Sequence, residues 1–121
     1  MSQLDDLIIA AAEEDSPETL SATLDAWSLE PPGSGEAEGH LNLLFDAWGE
    51  SLAAAPERAE FCFRLAALAP PDIPSLRAAL QRSLRCLYRD GAMPMTIASE
   101  AAGLRDPAVT PAEIARRFAC L

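Results

Sequence analysis

The sequence predicts an all-α fold, and three observations carry that expectation. Half of the residues are apolar, with Ala and Leu dominant and only one Tyr and four Phe, a composition that favours helix over strand. Apolar residues recur three and four positions apart in most segments, the spacing of a helix with one buried face. Prolines and glycines fall between these segments rather than inside them, often beside a capping residue. At 121 residues the chain fits one domain, which buries roughly two-thirds of the surface exposed by its unfolded form.

About seven short amphipathic helices follow in order. Ser2 caps the first, Asp5 and Asp6 occupy its first turn, and Leu4, Leu7, Ile8 and Ala11 share a face as far as about Glu13. Ser16, Pro17 and Glu18 open the second, which turns Leu20, Leu24 and Trp27 to one side. Glu30 to Gly39, with two prolines and three glycines, reads as a flexible loop. Leu41, Leu44, Phe45, Trp48 and Leu52 then form the buried stripe of a third helix that runs on toward Pro56. From Pro56 to Leu68 a fourth helix turns Phe61, Leu65 and Leu68 inward and stops at Pro70 and Pro71.

The fifth helix opens near Asp72 or Ser75 and closes at Asp90 and Gly91. Leu76, Leu80, Leu84 and Leu87 line one side, with Arg77, Arg82, Arg85 and Arg89 elsewhere around it. A sixth spans about Pro94 to Ala102, with Ile97 and Ala101 apolar and Gly103 as its stop. Thr110, Pro111 and Glu113 open the seventh, on which Ile114, Phe118 and Leu121 recur. Short proline turns between short helices predict antiparallel pairs in a helical bundle or an α-solenoid-like stack. Because the last helix meets the end of the sequence at an apolar residue, the expectation is a single domain over 1–121 excised from the front of a longer chain.

Charge is one-sided. Residues 1–57 hold 13 acids and no Lys or Arg, whereas 58–121 hold 6 acids and 9 Arg, for a net charge of −10. The acidic half repels phosphate backbones and anionic lipid, so direct nucleic-acid binding is not expected. Arg82, Arg85 and Arg89 share a helix face and are the candidate partner contacts, meeting either an acidic partner or the acidic half of the same chain. No apolar run approaches the roughly 20 residues of a membrane span and no signal peptide is legible, which predicts a cytoplasmic location without membrane contact.

Tests for chemistry return no constellation. His40 is the one histidine, so a Ser-His or Cys-His pair has a single possible base and no motif around it. Cys62, Cys86 and Cys120 are widely separated with no CxxC, which supports neither a disulfide framework nor a zinc site and predicts buried or half-buried thiols. Glu13, Glu14 and Asp15 match no calcium loop, and Gly33 and Gly35 no phosphate loop. The expectation is a non-enzymatic chain without cofactor or metal. Trp27 and Trp48 lie on apolar stripes and belong to the core.

Taken in order, the acidic helix pair, the Trp-bearing helices, the leucine helix bounded by prolines and Gly103-Leu104-Arg105 before the helix entered at Thr110 resemble the N-terminal extension of long Gre-type bacterial transcript cleavage factors. The resemblance implies a helical accessory domain preceding a transcription module that binds RNA polymerase. The family's acidic-tipped coiled coil and globular polymerase-binding domain are not represented in this sequence, so no functional residue carries over. The leading expectation is therefore a helical protein-interaction domain with a protein partner, RNA polymerase being the one the resemblance names. Two alternatives stand beside it: a stand-alone acidic adaptor or secretion-type chaperone that dimerises through an exposed apolar patch, and a DNA-binding regulator using residues 96–118.

Overall fold

The computed structural model describes residues 3–13, 16–29, 35–68, 73–88 and 93–120. They form seven α-helices and one 3-10 turn, without a strand among them. The helices are α1 (Gln3–Glu13), α2 (Pro17–Leu29), α3 (Gly35–Trp48), α4 (Pro56–Ala67), α5 (Leu76–Tyr88), α6 (Met95–Ala102) and α7 (Pro111–Ala119), with the 3-10 turn at Gly49–Ala54 between α3 and α4. The all-α reading holds, and most helix starts fall where the capping residues place them. Ser16 accepts the Thr19 amide at 3.2 Å, and Thr110 accepts the Glu113 amide at 3.2 Å. Ser2, Asp90, Gly91 and Leu121 lie outside the described residues.

Two boundaries differ from expectation. Residues 35–39, read as the end of a flexible loop, are the first turn and more of α3. Glu36, Ala37 and Glu38 are good helix formers, and acids suit a helix N-terminus; the glycines around them masked that signal. The rest of that loop, 30–34, lies outside the described residues. At the far end α3 stops at Trp48 instead of running toward Pro56, because Gly49 adopts a left-handed conformation, φ +46°. Leu52 still reaches the core, carried there by the 3-10 turn.

The packing is a bundle around α4 and α5 rather than a ladder of equal pairs. α1 packs against both α2 and α3, α4 packs most extensively on α5, and α7 joins α4 to α6. α2 reaches α4, and the 3-10 turn reaches α5, which ties the acidic half to the arginine-bearing half. Ile8, Leu20, Trp27, Leu41, Phe45, Leu65, Leu76, Leu80 and Leu84 sit in one continuous core. Each large apolar side chain so buried contributes on the order of 2–3 kcal/mol in transfer from water.

Several predicted inward positions face outward. Leu68 is exposed, since it follows the last turn of α4 as its C-cap. On α6 the buried face is Ala98, Ser99 and Ala102, not Ile97 and Ala101. Small residues let that short helix lie close against α5 and α7, and Ile97 is left 54% exposed.

Two side chains join distant segments. Asn42 on α3 accepts both the backbone amide of Ser75 at 3.0 Å and its hydroxyl at 2.6 Å, capping the start of α5 from another helix. Arg77 on α5 donates to backbone carbonyls of the α6–α7 connection: Leu104 and Asp106 at 3.1 Å each, Gly103 at 3.5 Å, and Val109.

Candidate functional site

α4 is buried on two nearly opposite sides, and this creates the site. Residues two apart on a helix point about 200° apart, so Phe61 and Phe63 serve different clusters. Phe61 meets Trp48 edge-on at 5.7 Å, Trp48 lies 6.1 Å from Phe45, and the Arg58 guanidinium covers the Trp48 ring at 5.2 Å. That cluster closes the junction of α3, the 3-10 turn and α4. Phe63 instead stacks on Phe118 of α7 at 3.9 Å, and Phe118 meets Tyr88 of α5 edge-on at 5.6 Å.

Among the described residues nothing closes over the second cluster. It floors a groove of about 610 Å³ between α4, the end of α5 and α7. α4 contributes Pro56, Glu60, Arg64 and Ala67 to its walls, α5 contributes Leu87, and α7 contributes Ala115 and Ala119. Phe63 is buried, Phe118 and Tyr88 are half-buried, and Leu87 is 36% exposed, so aromatic and aliphatic surface faces the opening. The volume falls within the range of about 300–1,000 Å³ typical of binding clefts. Alanines on facing helices leave room for a third element to approach closely. A smaller cleft of about 150 Å³ lies between α2 and α4, and Glu60 and Arg64 line both.

Glu60 and Arg64 are the charged residues that line the groove, and they pair loosely with each other. Arg64 reaches Glu60 at 2.7 Å, with both side chains at least 60% exposed. Outside the lining residues, on α7, Glu113 receives Arg116 at 2.6 Å and Arg117 at 3.4 Å, and the Arg116 guanidinium holds its carboxyl below the usual carboxylate range. Exposed pairs of this kind contribute little to stability.

Of the arginines singled out from the sequence, Arg82 and Arg85 are not among the residues that line this groove. Arg82 reaches Glu50 at 3.7 Å, an acid of the chain's own first half. Arg85 is exposed. Arg89 lies outside the described residues. Sequence reasoning missed the groove, although a signal was present: Phe61-Cys62-Phe63 puts apolar side chains all round one turn, which marks a helix buried on more than one side.

The remaining candidates resolve simply. Cys62 and Cys86 are buried and Cys120 is exposed, all three as free thiols. Burial pushes the Cys62 thiol up to about 12, with a hydrogen bond to Ser83 offsetting part of the shift. His40 is half-buried on α3. Trp27 and Trp48 are core residues, 1% and 5% exposed. Among the described residues no three His, Cys, Asp or Glu side chains gather as a metal site, and no helix is long and apolar enough to cross a membrane.

No family model, no curated protein and no solved structure matches the chain.

Proposed function

We propose that this chain is a non-catalytic protein-interaction domain whose binding face is the groove between α4, α5 and α7. One observation carries the reading: the Phe63–Phe118–Tyr88 cluster has an inner side packed into the bundle and an outer side opening on about 610 Å³ of apolar groove. Aromatic anchors at the centre of a concave apolar patch, with polar residues at its edge, are the usual anatomy of a binding hot spot. A photo-crosslinking amino acid at Leu87 is the direct test, with the same group at Leu43, 67% exposed on α3, as control. Specific protein adducts from position 87 and not from position 43 are expected. Equal adducts from both, or none from 87, would remove the groove as the binding face.

The narrower placement, as an accessory domain ahead of a transcript-cleavage module acting on RNA polymerase, is part of the same proposal. It rests on the order of segments ending in Gly103-Leu104-Arg105 before the Thr110 helix. In the fold, Gly103 and Leu104 cap α6: their amides donate to the carbonyls of Glu100 and Ser99 at 3.1 Å each. A polymerase contact would therefore fall on exposed Arg105 and on the groove, not on that glycine and leucine. Co-sedimentation with core RNA polymerase at low salt tests it, and absence of a complex would remove this placement while leaving the groove reading intact.

A further inference from the structure

The smaller cleft, between α2 and α4, shares a ridge with the groove. Glu60 and Arg64 stand one turn apart on α4, with Phe63 and Ala67 lining the groove on one side of them and Glu57 and Phe61 lining the cleft on the other. At about 150 Å³ the cleft is smaller than the roughly 300–1,000 Å³ of ligand clefts, so it has room for one long side chain and not for a helix. Its apolar lining includes Leu20 and Phe61, both buried, and half-buried Leu24. Its charged lining is two glutamates and one arginine. Glu60 and Arg64 pair with each other at 2.7 Å, which leaves the carboxylate of Glu57, exposed on the first turn of α4, without a hydrogen bond or ion pair to any described residue. The adjacent base, Arg58, is turned to Ser51 and to the Trp48 ring. α2 adds exposed Glu18 and Asp25 and no base.

We infer that this cleft seats one basic side chain, a lysine or an arginine, of the protein that occupies the groove. The inference rests on the groove reading for its partner, whereas the cleft is defined by its own lining. Lysine and arginine combine the two parts required: a methylene stem to lie on Leu20, Leu24 and Phe61, and a cation to reach Glu57 while Arg64 stays on Glu60. An acidic side chain would meet Glu57 as like charge and would have to draw Arg64 away from Glu60. A purely aliphatic one would leave Glu57 as open as before. The ridge is one helix wide, so a single segment laid across α4 can set an apolar anchor against Phe118 and Leu87 and a basic residue into the cleft. An exposed carboxylate of this kind discriminates between partners more than it adds affinity, which comes from the apolar floor of the groove.

Titration of the full chain with N-acetyl-lysine methylamide, followed by two-dimensional NMR, tests the inference, with the norleucine and glutamate analogues alongside. The lysine analogue is expected to move the methyl signals of Leu20 and Leu24 and the ring signals of Phe61. It should bind about fivefold more tightly than the norleucine analogue at low salt, a margin that shrinks as salt is raised. Glu57→Gln should remove most of that margin while leaving norleucine binding in place, a pattern that loss of the fold would not give. Equal binding of the lysine and norleucine analogues, or tighter binding of the glutamate analogue, overturns the basic occupant. No shift at these signals with any analogue removes the cleft as a site. Crosslinks from position 87 beside a silent cleft would sink this inference alone. A lysine-binding cleft without crosslinks from position 87 would sink the groove reading, and the shared partner with it.

Discussion

The guanidinium of Arg77 donates to the carbonyl of Val109, 32 residues further along the chain. With Leu104 and Asp106 also accepting from it, one side chain of α5 satisfies several carbonyls of a connection that otherwise has only short turns of its own. The fork of five N–H groups explains why arginine serves there. Arg77→Ala should lower stability by about 2–4 kcal/mol, because charge-assisted hydrogen bonds contribute about 1.5–3 kcal/mol and polar groups left unpaired add to the loss. Arg77→Lys should recover less than half, since one ammonium cannot span the same carbonyls. Urea unfolding gives the energies, and faster amide exchange at Val109 and Ile114 would place the damage at the connection.

Gly49 and Gly103 both have positive φ, at 46° and 79°, yet substitution should separate them. A Cβ on Gly49 would meet open space, so Gly49→Ala should cost only the backbone term, about 1 kcal/mol. At Gly103 a Cβ would lie 2.8 Å from the Arg117 guanidinium and 3.1 and 3.2 Å from the two methyls of Val109. The Arg117 end can swing away, but Val109 is packed in the core. Gly103→Ala should therefore cost about 1–2 kcal/mol more than Gly49→Ala. Equal losses in matched thermal melts would contradict the close packing of Val109 on this turn.

Cysteine chemistry should divide by burial. Cys120 is exposed and should react with a thiol reagent in the native state, while Cys62 and Cys86 should react only on unfolding. Cys62 also sets a pH dependence. Its thiol ionises near 9 when free and near 12 when folded, so the unfolded chain loses this proton first. The stability tied to the neutral thiol is complete below about pH 9 and declines through about pH 12, by about 1.4 kcal/mol per pH unit. Cys62→Ala should flatten that decline while lowering stability near neutrality by leaving a small cavity. Stability curves from pH 8 to 11 for both proteins check the sign.

Much of the fold was legible because local signals and packing agree. Ser16 and Thr110 were read as caps and do cap, and the stripe from Leu41 to Trp48 is buried as its period requires. What escaped the sequence depends on contacts between segments. Arg77 has the same local pattern as its neighbouring arginines, and only the fold brings the carbonyls of residues 103–109 to it. Phe63 lies off the single face predicted for α4, because a helix at the centre of a bundle buries more than one face. The groove follows from the same fact: its floor joins residues 63, 88 and 118, a relation that periodicity within one helix cannot express.

Asn42 supplies a final prediction, because its cap on α5 arises from tertiary structure. The side-chain oxygen accepts from the Ser75 amide and hydroxyl, groups at the N-terminal end of a helix where negative charge is favourable. Asn42→Ala removes the acceptor and should cost about 1–2 kcal/mol, in line with lost helix caps. Asn42→Asp keeps the oxygen and adds charge, so above the carboxylate range it should match or exceed the parent by a few tenths of a kcal/mol. Below about pH 4 the protonated aspartate loses that advantage, and the variant should fall toward or below the parent. Denaturation at pH 7 and pH 3.5 distinguishes this cap from a packing role for the side chain, under which Asp would be penalised at neutral pH and relieved in acid.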